Sequence, residues 1–492
     1  MQHLAILPIV IPLLTATLLL LPAFKTNLYL RRAFSGAGLG LLILACLFAF
    51  SHTAAGNVDR YLLGNWQEPY GILLVLDRVS ALFVALTAIL SGCVWLYSCK
   101  GDDEKGAYFQ PLFHFQLMGI NGAFLTGDLF NLFVFFEVLL ISSYGLLMHG
   151  GGKARTKAAI HYVLLNLFGS AVFLLALGLL YGILGSLNIS DMAQRISTLD
   201  PTQQWLVKSA AGMLLLVFGL KAAILPLQFW LSATYSAALP VVAALFAIMT
   251  KVGFYSIVRV FSVFFASAEQ PLADYGMQLL SIGGLLTILL ASIGVLGSPD
   301  LRKLAAYLVL MSVGSLFVVF ASGSPQAVAA ALFYAVHSTV LGAAMFLLVD
   351  LIAQQRGTVA ERLVQGRPVT QPVLLGVMFI LCGAAIAGLP PLSGAIAKLW
   401  LLQSVNATPW HGWIWAFILL SSLMVLIALS RAGSTLFWRV NKQSNTGIVA
   451  SKRRLTALLV LLASSPLLVI FGEHLMQFCL QAAMQLLPAN HS

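Results

Sequence analysis

The sequence predicts an all-α integral membrane protein of about fourteen transmembrane helices. Three observations carry that reading: the 492 residues are 60% hydrophobic, only 9% are charged, and long apolar runs recur from one end to the other. The mean hydropathy is +0.95. A soluble chain of this length would carry about 25% charged residues, so the charges here are too few to wet a globular surface. Each run approaches the roughly 20 residues that a helix needs to cross a bilayer.

The runs read as helices at 3–23, 33–52, 72–98, 108–126, 128–148, 158–184, 204–230, 240–266, 275–297, 304–321, 326–350, 371–404, 413–437 and 455–487. The basic residues test this count, because lysine and arginine collect in cytoplasmic loops. With Lys25, Arg31 and Arg32 placed in the cytoplasm, alternation adds Lys100, Lys105, Lys153, Arg155, Lys157, Arg302 and Lys303 to the same side. It also adds Arg356, Arg362, Arg367, Arg439, Lys442, Lys452, Arg453 and Arg454. That set holds 18 of the 27 basic residues, whereas the opposite loops hold three: Arg60, Arg195 and Lys208. One missed helix would reverse the sign downstream. The bias therefore supports fourteen spans with both termini on the extracytoplasmic side.

The net charge of +11 follows from the same loops and does not call for nucleic acid as a partner. Cys46, Cys93, Cys99, Cys382 and Cys479 are scattered through apolar segments and read as packing residues, without metal-ligand spacing. No cofactor signature is present. The opening MQHLAILPIVIPLL has no basic residue ahead of its apolar run, so it reads as a retained first helix and not as a signal peptide.

Six basic residues remain in or at the edge of the apolar runs. Arg78, Arg259 and Arg431 lie within snorkelling reach of a helix end. The three lysines are different. Lys221, in GMLLLVFGLKAAILPLQFW, sits inside an apolar run where a lysine costs about 2.5–3.5 kcal/mol, so it needs a partner, water or a task. Pro226 follows it and must break the helix, having no N–H to give. A second break falls in CGAAIAGLPPLSGAIAKLWLL, where Pro390 and Pro391 leave the carbonyls near Ile386 and Ala387 without helical donors, and Lys398 follows. Paired helix breaks point to an internal repeat with a polar path in each half. For Lys221 the blander reading is a snorkelling lysine beside a harmless kink, and for the pairing of the two breaks it is an accidental origin.

Glu137 is centred in LFNLFVFFEVLLISSYGLL and is the candidate counter-ion of Lys221. A buried carboxylate demands such a partner, and separating the two would let the lysine pass its proton onward. Lys251, in LFAIMTKVGFYSIVRV, adds a third lysine, expected at mid-helix. His337 could bridge Lys251 and Lys398, histidine being the side chain that changes charge nearest neutral pH. Lys303 reads as cytoplasmic, His114, His161 and Glu473 as weaker candidates, and Asp128 as the cap of the fifth helix.

The segments FNLFVFFEVLLISSYGLL (130–147), GLKAAILPLQFWL (219–231), MTKVGFYSIVRV (249–260) and GLPPLSGAIAKLWLL (388–402) resemble the antiporter-like proton-translocating subunits. That superfamily is shared by respiratory complex I and the Mrp-type (Pha, Mnh) antiporters. The resemblance runs over residues 70 to 440, and GNWQEPYGILLVLDRVSALF (64–83) is similar to the D-type subunit of the Mrp antiporters. It implies two inverted five-helix repeats, over 108–266 and 275–437, between three N-terminal helices in 1–107 and a last helix in 438–492. It also implies a proton pathway through Glu137, Lys221, Lys251, His337 and Lys398, with helix breaks at Pro226, Pro390 and Pro391. Complex I members often carry a lysine just after the histidine; here Ser338-Thr339-Val340-Leu341 supplies none.

The function implied is proton translocation within a hetero-oligomeric Na⁺/H⁺ or K⁺/H⁺ antiporter in a bacterial cell membrane, a secondary transporter and not an enzyme, with no cofactor. A proton-pumping arm of a complex I-like oxidoreductase or membrane-bound hydrogenase is the alternative. A purely structural membrane subunit is the third reading.

Overall fold

The computed structural model describes residues 3–264, 275–441 and 444–487. Lys442 and both chain ends lie outside the described residues, as does the stretch that joins the eighth and ninth expected helices. The chain opens with α1 (Leu7–Leu19), the short α2 (Pro22–Thr26) and α3 (Leu28–Ala54). A hairpin of β1 (Asp59–Leu62) and β2 (Leu73–Leu76), antiparallel with Asp59 opposite Leu76, leads into α4 (Arg78–Ser98). Next come α5 (Phe109–Leu125), α6 (Leu129–Met148), α7 (Lys153–Leu184) and α8 (Ile189–Ile196). The first broken pair is α9 (Pro201–Ala222) and α10 (Phe229–Ala237), followed by α11 (Pro240–Phe246) and α12 (Met249–Phe264). The second half contains α13 (Met277–Gly297), α14 (Leu301–Phe320) and α15 (Pro325–Gln355). Its broken pair is α16 (Pro372–Ala387) and α17 (Ser393–Ser404), and α18 (His411–Gly433), α19 (Lys452–Ile470) and α20 (Gly472–Leu486) close the chain.

Each of the fourteen expected segments overlies a helix, and among the described residues eleven helices are long and apolar enough to cross a membrane. Several boundaries shift by up to about five residues, and four segments differ in kind or start late. The expected helix at 72–98 begins six residues late, because Asp77 caps it: its carboxylate accepts from Ser80 N at 2.9 Å, and Ser80 Oγ accepts from Asp77 N at 2.9 Å. The residues before it, Leu73–Leu76, pair as a strand instead. The expected helix at 204–230 breaks and runs on to Ala237, and that at 240–266 is interrupted between Phe246 and Met249. The last expected helix, 455–487, divides at Phe471. Asp128 caps α6 as expected, accepting from Asn131 N at 2.7 Å.

Burial separates core helices from wall helices. The apolar stretches of α14 and α15 are 89% buried and that of α11–α12 wholly so, whereas those of α3, α18 and α19 are a third buried or less. Leucines and isoleucines on the outer faces of α3, α7 and α18 are correspondingly exposed, which suits a hydrocarbon surround. All five cysteines are free and buried.

Polar groups gather at the two ends of α4. At one end Arg32 forks onto Asp103 at 2.6 and 2.7 Å, Arg454 reaches Asp102 at 3.0 Å, and Tyr97 Oη donates to Asp350 at 2.7 Å. Arg32, Lys105 and Arg454, assigned to one side by their loops, thus meet in one cluster. At the other end Arg259 binds both carboxylate oxygens of Asp77, at 2.5 and 2.9 Å, and Tyr255 Oη at 2.8 and 3.0 Å. Arg259 is only 8% exposed, so the expectation of a snorkelling arginine is corrected: the helix-capping carboxylate of α4 lies close enough to hold it inside.

Removing one partner of a buried ion pair strands the other charge, at about 3–5 kcal/mol. Asp77→Ala should therefore destabilise the detergent-solubilised chain by about that amount in a denaturant titration, and the double variant Asp77→Ala/Arg259→Met by clearly less. Equal losses in the two would contradict a stranded guanidinium.

Candidate functional site

Both proline breaks close with the same backbone motif. In α9 the chain turns left-handed at Ala223 (φ 65°) and Ile224 N donates back to Gly219 O at 3.0 Å. In α16 it turns left-handed at Gly388 (φ 93°) and Leu389 N donates to Ala384 O at 2.9 Å. These six-to-one bonds are Schellman closures, which satisfy some but not all of the terminal carbonyls. The remainder go to side chains. Trp230 Nε1 donates to Leu220 O at 3.0 Å, and Lys398 Nζ donates to Ile386 O at 3.1 Å, Ala387 O at 2.9 Å and Ser422 Oγ at 2.7 Å. The carbonyls expected to lack donors are those that Lys398 serves.

The two lysines differ in placement. Lys221 is the penultimate residue of α9, before its break, whereas Lys398 lies on α17, beyond the break, and folds back. Lys221 is 5% exposed and donates to Asn166 Oδ1 at 2.9 Å. Glu137 is half-buried on α6 and accepts a hydrogen bond from Ser170 Oγ. Among the described residues no ion pair joins Glu137 to Lys221, which corrects the expectation of a direct pair. Helix α7 packs against both α6 and α9 and presents Asn166 to the lysine and Ser170, one turn on, to the carboxylate. Between those two residues Gly169 has no Cβ, which would stand 2.7 Å from Leu220 Cδ2, so α9 can press close.

Lys251 is fully buried in the first turn of α12, not at mid-helix, and donates to Ser312 Oγ at 3.0 Å. Gly253 lets α12 pack onto the α9 break: a Cβ there would lie 2.5 Å from Ala222 N. Beyond Ser312 is a cavity of about 20 Å³ lined by Ser312, Tyr334, His337, Ser338 and Ile386. Such a space holds about one water. It adjoins the partner of Lys251 on one side and, on the other, His337 and the residue whose carbonyl Lys398 holds. His337 is 2% exposed, and its Nδ1 shares a 2.9 Å hydrogen bond with Ser393 Oγ.

A larger groove of about 470 Å³ lies between α7, α10 and the start of α14, with Lys157, His161, Thr234, Asp300, Lys303 and Trp230 among its lining residues. Trp230 stands between this groove and the carbonyl next to Lys221. Lys303 has a side chain 48% exposed at the rim, in keeping with its loop assignment. His114 is buried against Ser35 at 2.9 Å, and Glu473 bonds the amide of Gln477 on its own helix at 3.1 Å.

The structure thus buries Lys221, Lys251 and His337 and leaves Glu137 and Lys398 half-buried. The profile of the NADH:quinone oxidoreductase/Mrp antiporter transmembrane family matches residues 126–427, which include all five. The chain belongs to this family. Among the members it is similar to is the D subunit of a probable K⁺/H⁺ antiporter of Rhizobium meliloti (strain 1021), 38% identical over 527 aligned positions covering 100% of this chain and 97% of that protein. Another is the D subunit of a Na⁺/H⁺ antiporter of Bacillus subtilis (strain 168), 37% identical over 90% of this chain and 89% of that protein. A chain of the solved Mrp complex from Dietzia sp. DQ12-45-1b is 25% identical, with a TM-score of 0.88 over 99% of this chain and 98% of that one.

Asn166, Ser170, Ser312, Ser393 and Ser422 were not singled out from the sequence. Asn166 carried a signal, an amide amid the apolar 158–184 run; the serines did not, because a helical serine commonly bonds its own backbone.

The second break depends on the absence of a side chain at Gly394, where a Cβ would fall 1.8 Å from Ala385 O. Gly394→Ala should lower the amount of folded protein recovered from membranes, while Gly412→Ala, with nothing within 4 Å, should leave it unchanged. Normal recovery of the first variant would show that the break can reshape itself.

Proposed function

We propose that the chain is the proton-translocating subunit of a multisubunit monovalent cation/proton antiporter exchanging Na⁺ or K⁺. The observation that carries the proposal is the series of buried and half-buried polar groups from Glu137 to Lys398, with a cavity of about 20 Å³ between Ser312 and His337. A buried charge in a membrane protein is costly and marks a functional path by default. In this reading protons pass between Glu137 and Lys221 by way of Ser170 and Asn166. They continue through Lys251 and Ser312 to the cavity, His337 and Lys398. The antiporter names carried by the full-length relatives favour an antiporter over a redox-driven pump.

The lysines are suited to the task by the neutrality of their partners. Lys221 is held by an amide, Lys251 by a hydroxyl, and Lys398 by carbonyls and a hydroxyl. Such partners accept from an ammonium without leaving an unpaired anion when its proton departs. The groove beside Trp230 supports a water-filled approach to Lys221 from the cytoplasmic end.

The matching Schellman closures support two repeats, over 108–266 and 275–437, flanked by 1–107 and 438–492. The three shorter elements Leu7–Leu19, Phe109–Leu125 and the α16–α17 pair would bring the eleven long spans to fourteen. The clustering of Arg32, Lys105 and Arg454 supports a cytoplasmic face there, with both termini on the other side of a bacterial inner membrane. The subunit would act within a hetero-oligomer. Glu137 lies on an α6 stripe whose Phe130, Val134, Ile141 and Met148 are exposed in the single chain, a surface suited to a neighbouring subunit.

Everted vesicles carrying the whole complex test the relay. Glu137→Ala and Lys221→Ala should abolish Na⁺- or K⁺-dependent collapse of the pH gradient with the complex still assembled; full activity in either refutes it. Asn166→Leu alters no charge, yet should slow transport at least about tenfold, the lower range of what a positioned proton carrier contributes. The chain reconstituted alone should not exchange cations for protons; robust antiport by it would count against the hetero-oligomer.

A further inference from the structure

Each broken helix leaves a backbone donor that the helix itself does not satisfy, and a hydroxyl from another helix meets it. At the first break Leu225 N donates to Thr287 Oγ1 at 2.9 Å, and Thr287 Oγ1 gives its own proton to Gly283 O at 2.6 Å. At the second break Ser393 N donates to Ser465 Oγ at 3.2 Å. Both hydroxyl residues are buried, Thr287 at 0% and Ser465 at 3% exposure. Thr287 lies on α13 and Ser465 on α19, and these helices hold corresponding places in the chain. Helix α13 is the first after residues 108–266, and α19 the first after 275–437. The face of α13 is shaped for the contact. Gly283 stands one turn before Thr287, and a Cβ there would lie 3.1 Å from Ile224 Cδ1 and 3.4 Å from Leu225 O.

We infer that Thr287 and Ser465 are positioning residues, each anchoring a helix break so that the proton carrier beside it keeps its place. This rests on the relay proposed above and adds residues to it. Thr287 acts through the backbone of the break. Leu225 directly follows the turn that Ile224 N closes onto Gly219 O, and Lys221 lies within that closed turn. Holding Leu225 N therefore fixes the segment from which the ammonium reaches Asn166. Ser465 acts through Ser393, whose Oγ it meets at 2.9 Å and which shares a 2.9 Å hydrogen bond with His337 Nδ1. Neither Thr287 nor Ser465 passes a proton in this scheme.

The first anchor crosses between the halves of the molecule. Helix α13 packs along α14, which presents Ser312 to Lys251, so the bond to Leu225 N ties the break beside Lys221 to the partner of the next lysine. A buried N–H deprived of its acceptor is costly to leave unpaired. Without the hydroxyl the break must shift to find another acceptor, and Lys221 shifts with it.

The test uses the whole complex in everted vesicles. The readout is the rate of cation-dependent collapse of the pH gradient per assembled complex, with Lys221→Ala as reference. Thr287→Val keeps the shape of the side chain and removes the acceptor. It should lower the maximal rate at least about tenfold, since a misplacement of about 1 Å can cost on the order of 100-fold. The half-saturating Na⁺ or K⁺ concentration should stay as in the wild type. Thr287→Ser restores the acceptor and should recover most of the rate. Ser465→Ala should slow collapse as Thr287→Val does. Ser292→Ala and Ser464→Ala, whose hydroxyls bond Ile288 O at 2.8 Å and Leu461 O at 2.6 Å on their own helices, should run at the wild-type rate. A fully active Thr287→Val beside an inactive Lys221→Ala overturns the first anchor and leaves the relay standing; a fully active Ser465→Ala does the same for the second. A Thr287→Ser as slow as Thr287→Val also overturns the anchor, the loss then belonging to packing. Full activity in Lys221→Ala overturns the relay and both anchors with it. Should Thr287→Val fail to assemble, Thr287→Cys against Thr287→Ser decides: a thiol is a weak acceptor, and a full rate with it sinks the anchor.

Discussion

A backbone carbonyl freed from its helix inside an apolar bundle must find a donor within the protein, because lipid offers none. This requirement organises the molecule. Proline opens α9 and α16, Schellman turns recover part of the lost bonding, and an indole and an ammonium take up the rest. The lysine at the second break is therefore tolerated and needed by the same geometry. Its charge is stabilised by the negative end of the helix fragment it caps. At the first break the indole of Trp230 takes the carbonyl, which leaves Lys221 free to engage α7.

Two kinds of buried cation share the fold and can be told apart by their partners. Arg259 and Arg454 face carboxylates and fasten helices together at opposite ends of α4. Lys221, Lys251 and Lys398 face amides, hydroxyls and carbonyls. A guanidinium keeps its proton, so pairing it with an anion makes a permanent clasp. An ammonium with neutral partners is not committed in that way. The division between permanent clasp and uncommitted ammonium is thus written in the acceptor.

Much of this was legible in the sequence because it depends on rare residues. Lysine, glutamate and proline inside apolar runs stand out against their surroundings, and Pro226, Pro390 and Pro391 fall at real breaks. The basic loop residues likewise grouped in advance several side chains that meet at one end of α4. What could not be read was how the helices face one another. That α7 supplies the partners of both Glu137 and Lys221 turns on helix order in space, and the seating of Arg259 on Asp77 joins residues 182 positions apart. Ser312 and Ser393 were invisible for another reason: serine is common in such helices, and only a neighbour's position shows that the hydroxyl also meets a lysine or a histidine.

The narrow joint between Ser312 and His337 has a bearing on what else can travel there. A space of about 20 Å³ admits a single water and no hydration shell, so an alkali ion would have to arrive stripped, between a lysine on either side. A proton meets no such obstacle, because it moves as a rearrangement of bonds and not as a body. On the proposed route the constriction would act as a sieve, keeping an exchanged metal ion off the proton's track.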